Sequence, residues 1–508
     1  MTTSDLVGKL RERVFESRPI FGKIVKKHGS KTLAEYARHF LEVRDDPKLD
    51  SRRPICLHVI YKEVQKRLGE KVADDVERQL LQKPLVSTTE HHAFIQHPFW
   101  LNTALVTALP YVGARKKFGR NLVVFSFASV SMNNASGYPR GLILHGGEAG
   151  EKDLIKIPIF PDKVKMRTVY GMEPFNTSDI EKARKFLMEK VREGAIGKKR
   201  AEQVDAELLS EFAKEEILNC DDYAQQITKL NYSFWPKFFA DSDVPNLIYI
   251  EAETMVREIL IQEVLLDSAC ILSEMFFDKK VRDLFLKYFD GVPGAFSAKD
   301  EWGTYFFWTF DEKGHRVSLV VEGDKLISKN KNLEVDLTAE GLTEALKSKK
   351  IFPSMMTVYM VLSLHYGFKC LGGFSQVHDL TRMKEALMHV LVEMGEYREI
   401  QSVSRIQTKE FGGDGITLAY IKNERGLLEP ATGIDLLFAE KKFSMKDYRT
   451  LAEKVTFEEM IDPMLPEMFT VLYPSYTRVG TPEESLTAEQ IIRDRGMQKK
   501  LDEFFSSH

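Results

Sequence analysis

Residues 121–132, NLVVFSFASVSM, carry the strongest strand signal in the chain. Val123, Val124, Phe125, Phe127 and Val130 are β-branched or aromatic, and such side chains suit a pleated, buried surface. Downstream, Tyr138–His145 and Lys156–Phe160 predict two further strands, with NNASGYP and HGGEAGEKD as turn chemistry between them. The three strands are expected to share one sheet of mixed or antiparallel pairing.

Upstream of this run, residues 1–85 read as helix. Leu33, Tyr36, Ala37, Phe40 and Leu41 recur at helical spacing, and Pro84 is placed to end the last helix. The stretch 84–100, PLVSTTEHHAFIQHPFW, is aromatic and polar with no clean helical period, which predicts a buried loop. Beyond the strands, residues 176–242 return to helix, with Ser178–Asp179 as a cap and Gly194 as a stop. A long helix is expected from about Ile250 to Phe277, and a hairpin joins 303–310 to 315–321 through DEKG. Helices follow near 338–348, 353–367 and 379–396, with a last strand at 416–421.

Helices and strands alternate without a regular βαβ rhythm. The expected class is therefore α+β, helix-rich, with a mixed or mostly antiparallel sheet that is not doubly wound. Three regions are expected: a helical 1–85, a mixed core with the site at 86–330, and a mainly helical 331–508 packed on that core.

A length of 508 residues exceeds what one hydrophobic core normally supports. The 72 basic and 75 acidic residues give a net charge of −3, so no basic surface argues for nucleic-acid binding. Four cysteines without a CxxC pair exclude a disulfide scaffold and the familiar zinc-finger spacings. The amino terminus lacks the apolar stretch of a secretory signal, and no run approaches the roughly 18 apolar residues of a membrane span. A cytoplasmic protein with a small-molecule substrate, and neither nucleic acid nor membrane as partner, is the expectation.

Histidines supply the first chemical clue. His91, His92 and His97 fall within seven residues, and imidazoles titrate near neutral pH, which suits acid/base work or metal ligation. Glu90 beside them is placed to orient a ring. On an extended backbone His91 and His92 face opposite ways, so one of the two at most meets a given pocket. The bland alternative is that these rings are core or capping histidines.

The second clue is SMNNASGYPRGLILHGG at 131–147, which gathers Asn133, Asn134, Ser136, Tyr138, Arg140 and His145 after a strand. Arginine offers a planar fork for a carboxylate, and Asn both donates and accepts, so this window is the candidate substrate grip, with Arg140 foremost. Its structural alternative is a turn, for which the same residues serve. The basic run of Lys156, Lys163, Lys165 and Arg167 reads as a solvated face.

Glu251 and Glu253 stand in IYIEAETMVREILIQEVLLD; a carboxylate among apolar neighbours has a raised pKa and often a role. In CLGGFSQVHDL, residues 370–380, Cys370 reads as a buried thiol and Asp379 as a helix cap, while Gly372, Gly373 and Gln376 can line a pocket. HGGEAG, GGFSQ and EFGGDG match no nucleotide cradle, and no GxSxG elbow exists.

These residues predict an enzyme of small-molecule metabolism, a transferase, ligase or hydrolase. General acid/base catalysis would come from His91, His92 or His97 with Glu251, on a polar, carboxylate-bearing substrate held by Asn133, Asn134, Tyr138, Arg140, His145 and Gln376. The first alternative is a divalent-metal hydrolase or oxygenase with His91, His97 and Glu251 as ligands. A non-catalytic binding protein is the second.

Overall fold

The computed structural model describes residues 2–113, 120–146, 154–241, 243–268, 270–422 and 428–507. The protein is α+β and helix-rich, with parallel and antiparallel pairing in separate sheets. Strands of the two larger sheets, in chain order, are β1 Leu85–Ser87, β2 Asn121–Ser126, β3 Asn246–Glu251, β4 Phe307–Phe310, β5 Arg316–Glu322, β6 Lys325–Ser328, β7 Glu334–Asp336, β8 Ile351–Pro353 and β9 Lys369–Leu371.

The 121–132 run forms β2 at its first half only, and β2 belongs to a wholly parallel four-stranded sheet of order β9-β1-β2-β3. Parallel sheets are buried on both faces, and these strands obey that rule. Leu122, Val124, Leu247, Tyr249 and Leu371 face one core. Their neighbours Val123, Phe125, Ile248, Ile250 and Cys370 face a second. Helices Pro98–Ala108 and Tyr223–Phe234 cover the first face, and Pro47–Leu68, Glu70–Gln82 and Ala252–Gln262 the second.

The strands expected at 138–145 and 156–160 do not join β2. Gly141–Leu144 and Ile155–Pro158 pair antiparallel with each other, as a separate two-stranded ribbon. Period-2 patterning marks each strand but is silent about its partner. Most of their expected turn, HGGEAGEKD, lies outside the described residues.

The long helix expected from Ile250 is also different: residues 246–251 are β3, and helix begins at Ala252. LIYI is β-branched and aromatic, and between β2 and the helix Tyr223–Phe234 it is buried as a strand. Glu251 is consequently the last strand residue and does not share a helix face with Glu258. Asn176, not Ser178–Asp179, caps the helix Thr177–Arg192.

The hairpin expected near 303–321 is β4–β5, part of a five-stranded antiparallel sheet of order β7-β6-β5-β4-β8. Pairing of β8 with β4, and of β9 with β1, crosses the border read at 330/331. Among the described residues no helix is long and apolar enough to cross a membrane.

Candidate functional site

Because β1, β2, β3 and β9 are parallel, their carboxyl ends open on one edge. The chain steps from β1 to β2 to β3 in one direction, then returns with β9 on the other side of β1. In open parallel sheets a crevice lies where the order reverses, outside the carboxyl ends of the strands. Here that point is between β1 and β9, and a cavity of about 590 Å³ is found there, within the range of small-molecule sites.

Three of the four strand ends contribute to its wall. Thr88, Thr89 and His91 follow β1; Phe127, Ser129 and Val130 follow β2; Gly373, Phe374, Ser375 and Gln376 follow β9. Trp302, Trp308 and Arg316 enter from the antiparallel sheet and the loop before it, and Asp414 and Glu467 from the carboxyl-terminal part. Three of the four tryptophans in the chain line this one space.

His91 reaches the cavity because the ladder continues past the ends of β1 and β2. Phe127 N–H donates to Glu90 O and His92 N–H to Phe127 O, each at 2.8 Å, which keeps residues 90–92 extended. The two rings therefore point to opposite faces, as an extended pair must. His91 lines the cavity. His92 is fully buried on the other side, 2.8 Å from Ser126 Oγ and 3.2 Å from the Ala224 carbonyl.

Asn134 Oδ1 lies 3.0 Å from His91 Nδ1. Being an acceptor, it fixes the proton on Nδ1 and leaves Nε2 with a free lone pair. Ser136 Oγ donates to the same Asn134 oxygen at 2.9 Å and steadies it. Burial lowers the pKa of His91, partly offset by the Asn134 bond, so the ring is neutral at pH 7. Trp100 packs edge-on to it with centroids 5.1 Å apart, and its indole N–H is buried without a partner.

The other histidines of the cluster have structural surroundings. His97 is the N-cap of the helix Pro98–Ala108, its Nδ1 accepting from Phe99 N–H at 3.2 Å. Burial, with a smaller contribution from Lys156, pushes its pKa down to about 4. Burial likewise takes His92 to about 4.

Arg140 does not line the cavity. Its Nε donates to Phe160 O at 2.9 Å and its fork is paired with Asp162. Tyr138 is buried with φ 47°, under the Lys156 ammonium. His145 binds Asp435 at 2.6 Å; burial lowers its pKa, but the bond and charge of Asp435 outweigh that and raise it. Asn133 is exposed. Of the expected substrate grip, Asn134 reaches the site through His91, and Gln376 lines the wall while donating to Thr88 Oγ1 at 2.7 Å. The pattern of 131–147 marked polarity, but partners elsewhere in the chain, Phe160, Asp162 and Asp435, consume much of it.

Glu251 and Glu253 are both buried, in different roles. Glu253 accepts from Ala128 N–H and Ser129 N–H, each at 2.9 Å, and so holds the strand end that shapes the cavity. Glu251 accepts from Thr254 Oγ1 at 2.6 Å, beside a small hollow lined by Asp222 and Lys349. Burial, then the charge of Glu253, pushes the pKa of Glu251 up to about 8. Neither carboxylate lines the large cavity. His91, His97 and Glu251 are not brought together, and among the described residues no group of three His, Cys, Asp or Glu is arranged to hold a metal ion.

Two glycine segments that match no nucleotide motif meet here. Gly372 N–H donates to Glu410 O and Gly412 N–H to Gly372 O, joining CLGGFSQ to EFGGDG. The second segment carries Asp414, 6% exposed, with Oδ1 lacking any partner. Burial, then the charge of Glu467, pushes its pKa up to about 8. Asp379 lies in the first turn of the helix Gln376–Met394 and does not cap it; its Oδ1 is also unpartnered, and burial pushes its pKa up to about 6. Sequence reading missed Asp414, Glu467 and Arg316 as site residues; Trp302 and Trp308 stand in WGTYFFWTF, an aromatic run that reads mainly as core and hairpin pairs but also suits a pocket wall. Only the polar Asp414 between Gly413 and Gly415 hinted at a built loop. No family model and no curated protein matches this chain.

Proposed function

We propose that the protein is a small-molecule enzyme whose site is the crevice between the ends of β1 and β9, with His91 as general base. The observation that carries this reading is the His91–Asn134 pair. It supports a neutral imidazole with its Nε2 lone pair free, in a largely apolar cavity. A base of that kind removes a proton from an attacking amine or hydroxyl, the step needed in group transfer and in amide formation or cleavage. The unpartnered indole N–H of Trp100, beside His91, suits a substrate oxygen. Arg140, spent on Asp162, gives no support to the carboxylate-bearing substrate expected from sequence, and the scattered His97 and Glu251 give none to the metal alternative.

The test is to incubate wild type and His91→Ala with a defined mixture of small metabolites and follow each by mass spectrometry. Wild type should deplete at least one compound, and His91→Ala should do so about 10²–10⁴-fold more slowly, the usual contribution of a positioned base. Equal depletion by both proteins would rule out His91, and depletion by neither would favour a binding protein without turnover.

A further inference from the structure

The chemistry of the cavity wall says more about its ligand. A carboxylate loses several kcal/mol of hydration when buried unless an opposite charge or enough donors replace the water. Asp414 receives one donor, the Phe374 N–H, while Oδ1 has none. Asp379 Oδ1 on the same wall is likewise unpartnered, and Glu467 stands on the exposed rim. Among the described residues Asp414 Oδ1 has no internal partner, while Asp379 feels the charge of Arg18. Arg316, the one Lys or Arg among the described lining residues, is already engaged: Nη1 donates to Ser129 O at 2.6 Å and the guanidinium lies 4.1 Å over the Trp308 ring.

Aromatic faces make up much of the remaining wall. Trp100, Trp302, Trp308, Phe99, Phe127 and Phe374 all border the space. Such faces carry negative charge density and attract cations, most of all where water is excluded. Buried acid with a free oxygen, set among aromatic rings, is a combination that rewards a cation on an apolar body, which takes the place of the proton Asp414 otherwise holds, and gives an anion no counter-charge.

We propose that the cavity takes a primary or substituted ammonium compound with an apolar body, its cationic nitrogen at the Asp414 carboxylate and the field of Glu467 and Asp379 around it. This rests on the reading of the crevice as the substrate site and names the substrate class. Gly373 belongs to the same device. A Cβ there would overlap Asp414 Oδ2, so the absence of a side chain lets the carboxylate sit over the turn in the cavity wall.

The probes are 2-phenylethylamine, 2-phenylethanol and 3-phenylpropionate at pH 9, above the pKa of Asp414, with quenching of intrinsic tryptophan fluorescence and thermal shift as readouts. The amine should bind at least tenfold more tightly than the alcohol, and the propionate most weakly. Asp414→Asn should lower amine affinity at least tenfold and leave the alcohol unchanged. Glu467→Gln, on the rim where folding is not at stake, should cost the amine two- to threefold. Equal binding of amine and alcohol, preference for the propionate, or amine affinity unmoved in Asp414→Asn would each overturn the proposal. Preference for the propionate would leave the crevice as the site and remove only the amine class. Quenching by none of the three would remove the ligand class and the site together. Metabolite depletion that persists in His91→Ala removes the base and leaves amine binding standing.

Discussion

The carboxylate of Asp414 lies directly over Gly373, so close that the glycine's missing side chain is a condition for it. The pair joins two loops 41 positions apart in sequence, 373 and 414, into one wall of the cavity. Gly373→Ala should therefore destabilise the fold by about 1–3 kcal/mol, the usual cost of overpacking. Asp414→Gly in the same chain should recover part of that loss. Urea denaturation of the two variants and wild type checks it, and no recovery in the double variant would place the strain elsewhere.

The three clustered histidines should separate cleanly by behaviour. His92→Ala removes a buried ring and the shorter bond of Ser126 Oγ, leaving it the Ile250 carbonyl at 3.3 Å, and should cost about 1–3 kcal/mol in stability. His97→Ala removes an N-cap and should cost about 0.5–2 kcal/mol with the cavity intact. His91→Ala should leave the melting temperature within a few degrees of wild type and abolish turnover. Thermal denaturation beside the depletion assay reads all three, and a His97→Ala protein that folds but is inactive would contradict the assignment.

Glu253 accepts one backbone donor on each carboxylate oxygen, from Ala128 and Ser129. A glutamine offers one oxygen and turns an N–H against the second donor. Glu253→Gln should then lose about 1–3 kcal/mol despite its nearly identical shape. Hydrogen exchange at Ala128 and Ser129 should speed up; unchanged protection there would show that the two bonds do not hold the strand end.

Glu251 gives a pH prediction. Its folded pKa, about 8, lies above the ordinary 4.5, because burial and the neighbouring Glu253 disfavour the charge. The folded state thus holds the proton where the unfolded chain has released it. The stability this group contributes is complete below about pH 4.5 and is lost as pH rises through 8. Glu251→Gln abolishes the titration and should gain on wild type between about pH 5 and pH 8, by up to about 1.4 kcal/mol for each pH unit. Urea midpoints of both proteins across that range decide it, and a difference independent of pH would mean that Glu251 is not protonated in the fold.

Much of the secondary structure was legible because hydrophobic period is a local property. The amino-terminal helices, the β4–β5 hairpin and the helices after residue 338 follow from spacing and turn residues, whereas 84–100, read as a buried loop, holds β1, whose three residues are too few to show a period. The opposite facing of His91 and His92 followed from backbone geometry alone. Residues 246–251 were misread for the complementary reason: a short apolar run is strand or helix according to what lies beside it, and here β2 does.

By itself, then, the sequence determined the α+β class, the positions of most elements and the presence of a polar histidine segment ahead of β2. Tertiary structure alone decided that four strands from three distant stretches run parallel, and that β9 returns beside β1 to open a crevice there. It also decided which polar groups are free. Arg140 and His97 are consumed by neighbours, while His91 and Asp414 line the cavity. The physical reason is that a strand's partner and a polar atom's satisfaction are contacts between residues far apart in the chain. Periodicity records which face of an element is apolar, and holds no information about what that face, or a side chain beside it, will meet.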